Sequence, residues 1–290
     1  MALLELSELE NLSPLFKGEK GQARAGKLLK LLEFDKVEAS YAAVEGYRGP
    51  EAAAKWLENQ NVHYSVSGYE KLLSLKDGPF ITISNHTIGT VDGIALIAIL
   101  GKLRPDYKML VNKILERLKV LEDNFIHVTP TGESRTSPTS VSIGGVRAAM
   151  EHVGEGHPLG LFPSGAVSDL KLGRRPVVQM PDGSTYREPR IRDREWPMAM
   201  IKFIQKAEVP VVPIRLFDGN SRFFYHLGLI SWKVRLLRQP HEVLNKSGKT
   251  LRFAVGDIIT PEQIAACASI EELRTLLRGS VYSLPEPDKE

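Results

Sequence analysis

PFITISNHTIGTVDGIALIAIL, residues Pro79–Leu100, carries the reading of this chain. Its first part, Pro79–Ser84, is short, β-branched and aromatic, and it follows the turn signal Asp77–Gly78–Pro79, which predicts a buried strand. Its last part, Gly93–Leu100, is a charge-free apolar run of eight residues, too long for a turn and suited to a buried helix. Between them lie Asn85, His86, Gly89, Thr90 and Asp92. Ligands of open α/β sheets bind where strands end and helices begin, so the place of these polar residues informs as much as their identity.

His86 can take a proton from a hydroxyl or amine, because a histidine titrates near neutrality. A carboxylate on its other ring nitrogen would set the tautomer and support the developing positive charge. On an unbroken helix, residues six apart would point roughly 240° from each other. His86 and Asp92 can meet only if the backbone turns between them, and Gly89 can supply that turn. The competing reading is an Asp92 or Thr90 that caps a helix beside an exposed histidine.

Outward from this stretch the chain is ordinary in composition. Its 290 residues suffice for one large or two small domains with a real core, and 42% hydrophobic with 25% charged residues suits a globular protein. A net charge of +3 implies a mild preference for anionic partners. The single Cys267 excludes an internal disulfide. Met1–Glu10 holds three acids and no base, unlike a signal peptide, and no apolar run approaches the ~18 residues of a spanning helix. The six other histidines are scattered without metal-ligand spacing, and no phosphate-binding glycine fingerprint occurs, so neither a metal nor a nucleotide cofactor is expected.

The expected fold is α/β, with a mixed, partly parallel central sheet flanked by helices and a helical N-terminal region. Residues 1–61 form that region, helical to about Tyr47 and again over Glu51–Asn59, either packed on the main domain or anchoring it through Lys17, Lys20, Arg24, Lys27 and Lys30 at a lipid surface. Residues 62–290 form the α/β domain. Strands are predicted at 62–67, 79–84, 107–111, 125–128, 158–163, 209–217 and 251–255, with helices at 68–76, 112–118, 140–153, 194–207 and 261–278. Gln179–Ser184 reads as a hairpin tip with Asp182–Gly183 at its turn. The surrounding stretch carries Lys171, Arg174, Arg175, Arg187, Arg190 and Arg192 against Asp182 and Glu188, which is either a solvated ion-paired face or a dock for an acidic partner. Later, Arg215, Arg222, Lys233, Arg235 and Arg238 interleave with Phe223, Phe224, Tyr225 and Trp232, a mix that suits a lipid interface better than nucleic acid.

Several segments together resemble one family. Asn85–His86 followed by Asp92 resembles the first motif of the glycerolipid acyltransferases, with one more residue between His and Asp than in the commoner form. That longer form is similar to the bacterial hemolysin-like branch, which includes ornithine- and glycine-lipid acyltransferases. Leu161–Ser168 (LFPSGAVS), Asp193–Trp196, Val209–Ile214 and Gly219–Tyr225 resemble the family's later blocks in order. The resemblance covers roughly Val62 to Asp257 and implies an acyl transfer from a thioester of acyl carrier protein or coenzyme A to a lyso-lipid hydroxyl or amine. His86 would be the general base and Asp92 its orienting partner. Asn85, Gly89, Thr90, Phe162, Pro163, Ser164, Gly165 and Arg135 would bind substrate. The implied partners are the carrier or coenzyme thioester, the lyso-lipid and a membrane surface, with the protein peripheral on the cytoplasmic, inner face.

Two departures shape the expectation. Ser164 stands where many members carry Glu, and the preceding residues lack the glycine that a nucleophile elbow needs, so a turn facing the substrate is expected there and not a nucleophile. The third predicted strand, Phe125–Val128, leads to no immediate Arg. Arg135 can substitute as an anion contact or be a structural loop residue, and an amino-acid lipid or another lyso-lipid fits about as well as lysophosphatidate. An acyl-thioester hydrolase and a non-catalytic lipid-binding protein are the alternatives.

Overall fold

A computed structural model describes residues 17–128 and 143–287. In chain order the elements are α1 (Gly18–Leu31), α2 (Phe34–Ala42), α3 (Gly49–Asn59), β1 (His63–Ser67), β2 (Ile81–Ser84), α4 (Thr90–Leu100), β3 (Lys108–Asn112), β4 (Phe125–Val128), α5 (Ile143–Gly154) and β5 (Leu159–Leu161). They continue with β6 (Asp169–Leu170), β7 (Val177–Gln179), β8 (Thr185–Arg187), β9 (Ile191–Arg192), α6 (Met198–Ala207) and β10 (Val211–Leu216). The last are α7 (Arg222–Ile230), α8 (Trp232–Leu237), α9 (Gln239–Leu244), β11 (Thr250–Val255), α10 (Pro261–Ala265) and α11 (Ile270–Tyr282).

The main sheet has seven strands in the order β1-β11-β10-β2-β5-β3-β4. Every neighbouring pair is parallel except β10 with β11. The carboxyl ends of β10, β2 and β5 therefore lie side by side, and β2 sits where the chain first turns one way along the sheet and later the other. Alternation along the strands sends side chains to two cores. Val212, Ile214, Leu216, Leu251 and Phe253 join α3 and α4 on one face, while Ile81, Ile83, Leu159 and Val211 meet α5, α6 and α11 on the other. Helix α4 lies inside the protein, with Ile94–Leu100 all buried, which is why it carries no polar face. Thr82, fully buried in β2, is satisfied by the Tyr107 hydroxyl at 2.7 Å. Gly160 leaves room for that ring, since a Cβ there would stand 2.0 Å from the Tyr107 hydroxyl.

Residues on both sides of position 61 share one core: Val37, Tyr41, Ala52, Ala53, Trp56 and Leu57 pack with α4 and β11. Trp56 Nε1 donates to Ser40 Oγ at 3.0 Å. Of the helical stretch expected to about Tyr47, residues 1–16 lie outside the described residues, and the rest is divided at Glu33, whose φ of +65° separates α1 from α2. Arg48–Gly49–Pro50 does interrupt the chain, with Gly49 and Pro50 opening α3, where a proline lacking its N–H is tolerated. The expected helices at 68–76 and 112–118 are 3-10 turns, Tyr69–Leu75 and Lys113–Arg117. The helix expected from Arg194 starts only at Met198, because the preceding segment is extended through Pro197. The hairpin forms with Val177 opposite Arg187. The loop Thr129–Thr139, and Arg135 within it, lies outside the described residues.

Candidate active site

The site is built on the loop that carries the chain from β2 into α4. Gly89 caps α4 with φ +118° and ψ −129°, a conformation open to glycine alone. That turn brings His86 Nδ1 to 2.9 Å from Asp92 Oδ2 across their six-residue separation. Asp92 is buried and its Oδ2 also accepts the N–H groups of Ile88 at 2.9 Å and Gly89 at 3.2 Å. The carboxylate thus caps the helix and pairs with the histidine at once. A carboxylate only accepts, so the neutral imidazole carries its proton on Nδ1 and presents a lone pair at Nε2. No hydrogen bond holds Nε2 among the described residues. The ring is stacked on Phe162, which follows β5, with centroids 4.0 Å apart.

The backbone of this loop is held at each residue. Asn85 uses its amide as a further rung between β2 and β10: Nδ2 donates to the Leu216 carbonyl and Oδ1 accepts the Leu216 N–H, both at 2.8 Å. The His86 N–H donates to Asp193 Oδ1 at 3.1 Å, and its carbonyl accepts the Ser168 N–H at 2.6 Å. The Thr87 hydroxyl donates to the Asp218 carbonyl at 2.6 Å, and the Thr87 carbonyl accepts the Tyr225 hydroxyl at 2.7 Å. The Ile88 carbonyl accepts from Asn220 Nδ2 at 2.8 Å and Gln239 Nε2 at 2.6 Å. A Cβ at Gly89 would meet that Gln239 amide at 2.3 Å and displace it from the Ile88 carbonyl, while the φ of +118° is what requires glycine.

Asp193 is buried and also accepts from the Ser168 hydroxyl at 2.6 Å and Trp196 Nε1 at 3.1 Å. Burial raises its pKa, opposed by the Ser168, His86 and Trp196 donors and by the charge of Arg278. On the side towards α9, Lys246 and Glu242 are buried together, with Nζ 3.5 Å from Oε2. Desolvation pushes Lys246 down to about 8, against the attraction of Glu242 and, more weakly, of Asp92.

His86, Asp92, Gly89, Thr90 and Phe162 converge at the carboxyl end of the sheet. Asn85 stands among them with its amide committed to Leu216. Pro163 and Ser164 are buried in the following turn, where Ser164 Oγ donates to the Ala166 carbonyl at 2.8 Å. Gly165 is exposed with φ +62°, and its N–H closes the turn on the Phe162 carbonyl at 2.9 Å. Asp193 and Asn220 fall within stretches quoted for the resemblance, but nothing marked their individual roles, and Gln239 carried no signal at all. Among the described residues no cluster of three or more His, Cys, Asp or Glu forms a metal-binding group, and no helix is long and apolar enough to cross a membrane.

The chain is similar to known proteins. Curated relatives named lyso-glycine lipid O-acyltransferase come from Phocaeicola vulgatus, 26% identical over 79% of this chain and 75% of that protein, and from Bacteroides thetaiotaomicron, 25% identical over 89% and 88%. The solved 1-acyl-sn-glycerophosphate acyltransferase PlsC of Thermotoga maritima is 18% identical, with a TM-score of 0.47 over 90% of this chain and 86% of that one. The model of the acyltransferase family matches residues 63–216, which contain β1 through β10 and the whole His86–Asp92 loop. The chain thus belongs to the acyltransferase family, the glycerolipid acyltransferases that its motifs resemble, and is an acyltransferase.

Proposed function

We propose that this acyltransferase moves a fatty acyl group from a thioester, of acyl carrier protein or coenzyme A, to the hydroxyl of a single-chain amino-acid lipid. His86 Nε2 takes the proton of the acceptor hydroxyl as its oxygen attacks the thioester carbonyl carbon. Asp92 holds the ring and offsets the imidazolium charge. When the tetrahedral intermediate collapses, the carbon–sulfur bond breaks and the imidazolium returns the proton to the leaving thiolate. The observation that carries this reading is the His86 Nδ1–Asp92 contact of 2.9 Å with Nε2 left unbonded.

The oxyanion calls for backbone donors. The Gly165 N–H is used in its turn, whereas the first-turn amides of α4, Thr90 and Val91, have no intrahelical acceptor by their position and lie beside the dyad. The amino-acid lipid acceptor is supported by the names of the relatives and by the lack of an arginine immediately after Phe125–Val128 in the sequence. Arg174, Arg187 and Arg190 are exposed around the β7–β8 hairpin and are available to the acidic surface of a carrier protein. The protein would work peripherally on the cytoplasmic face of a bacterial inner membrane.

The test is transfer of labelled acyl groups from acyl carrier protein and from coenzyme A to mono-acylated glycine, ornithine and serine lipids and to lysophosphatidate. Acylated amino-acid lipid formed by the parent and lost with His86→Ala is the expected result. Release of free fatty acid alone would make the chain a hydrolase, and lysophosphatidate as the preferred acceptor would overturn the amino-acid lipid assignment.

A further inference from the structure

The segment Gly219–His241 contains Arg222, Lys233, Arg235 and Arg238 and no Asp or Glu. It folds as α7 and α8 joined at Ser231, which is extended and ends one helix while starting the next. The two helices turn back on each other: Arg238 lies over the Phe223 ring at 5.4 Å, Arg235 lies over Phe224 at 5.2 Å, and a Cβ at Gly228 would touch Arg235 at 3.0 Å. The base of this helical hairpin grips the dyad loop through Tyr225 on the Thr87 carbonyl and, just beyond α8, Gln239 on the Ile88 carbonyl. Its tip does the opposite. Leu229, Ile230 and Trp232 are exposed there, Ile230 to 81%, and Phe223, Val234 and Leu236 extend the apolar surface along both helices.

We propose that the tip of the α7–α8 hairpin is the surface that docks on an anionic lipid bilayer, with Leu229, Ile230 and Trp232 among the acyl chains and Arg222 and Arg238 at the headgroups. Apolar surface of this extent is uncommon on a free monomer and marks an interaction face. An amphipathic helical element with cations beside large apolar residues gains both from apolar burial and from attraction to anionic lipid. Arg235 is occupied by Asp169 at 2.9 Å, but Arg222 has no ion-pair partner among the described residues and Arg238 meets Glu242 only at 3.8 Å. A second copy of this chain fits less well. A two-fold interface would set this acid-free surface against itself, with cation facing cation. The dyad loop, gripped at the base of the hairpin, is then held at the lipid surface where a single-chain acceptor resides, which is the point at which this inference rests on the proposed acceptor class.

The protein carries its own reporter, because Trp56 and Trp196 are buried and Trp232 alone of its three tryptophans is exposed. The experiment mixes the full chain with vesicles of phosphatidylcholine alone or with added phosphatidylglycerol, following Trp232 emission and co-flotation. The parent is expected to shift its emission to shorter wavelength and float with the phosphatidylglycerol vesicles. The Leu229→Ser/Ile230→Ser double variant, altered only at exposed positions and checked by circular dichroism, should bind them at least about tenfold more weakly. Its transfer to acceptor embedded in vesicles should fall by a similar factor while transfer to a short-chain, monomerically soluble acceptor stays at the parent level. Equal vesicle binding by parent and variant overturns the docking surface. So does a parent that ignores vesicles and sediments as a dimer which the double substitution dissociates. Hairpin-dependent vesicle binding without transfer to any lyso-lipid would uphold the docking surface and overturn the proposed acceptor instead.

Discussion

Asp193 Oδ1 accepts the backbone N–H of His86 at 3.1 Å, so a carboxylate 107 residues further along the chain sets the position of the histidine in the dyad. It binds the main chain and leaves the ring free to pair with Asp92. The same oxygen takes the Ser168 hydroxyl, and the other takes Trp196.

Replacing Asp193 with alanine strands three donors inside the protein. The Asp193→Ala variant is expected to lose ~3 kcal/mol of stability, read as an earlier urea midpoint, because each orphaned buried donor bears its desolvation cost. Acyl transfer should fall in the fraction that remains folded, since the His86 backbone loses its anchor. An unchanged urea midpoint would mean that this carboxylate does not hold the loop.

His86→Ala should reduce kcat by about two to four orders of magnitude, the range of a lost general base, with little change in acceptor KM. The ring is partly exposed, so thermal stability should stay close to that of the parent. Asp92→Ala should also lower kcat, and in addition destabilise the protein, because it removes the acceptor of the Ile88 and Gly89 N–H groups.

Gly89→Ala combines a forbidden φ with a collision at Gln239. We expect a loss of at least about 2 kcal/mol and of most activity. Adding Gln239→Ala should recover only part of the stability, because it removes the collision and leaves the backbone strain. Full recovery, measured by thermal unfolding, would show that space alone requires the glycine.

Asn85→Ala leaves both the N–H and the carbonyl of Leu216 without partners, at a cost of ~2 kcal/mol or more. Asn85→Asp keeps an acceptor for the N–H but puts an oxygen against the carbonyl, and should not rescue stability. A rise in acceptor KM at unchanged stability would point to direct substrate contact by Asn85 instead.

Lys246 gives a pH signature. Its folded pKa of about 8 lies below the ordinary 10.5, so between these values the unfolded chain binds more protons and folding stability rises with pH. This contribution is absent below about 8 and complete above the unfolded value. The stability difference between the parent and Lys246→Met, measured by urea unfolding, should therefore move in favour of the parent as pH rises from about 8 to 10.

Local pattern was enough to read β2, α4, the β7–β8 hairpin and the alternation of strands with helices. Each has a period or a turn residue written in consecutive positions: Ile81 and Ile83 on one face, the charge-free run after Gly93, Asp182–Gly183 at the tip. The spacing of His86, Gly89 and Asp92 likewise allowed a turn that joins the histidine to the carboxylate, beside the alternative of a helix-capping Asp92. Helices α7, α8 and α9 were not read because they are short and their buried faces are set by the loop they grip. Tertiary structure alone decided that β5 inserts between β2 and β3, that β10 and β11 run antiparallel, that Glu33 divides the N-terminal helices, and that Asn85 is used on Leu216. It also brought Asp193, Tyr225 and Gln239 onto the loop of the dyad. These are pairings between residues tens to more than a hundred positions apart, or single-residue backbone choices, and a periodic signal records only which face of one element is apolar. The residues of the candidate site were thus written locally, while the groups that hold them in place were selected by the packing of distant segments.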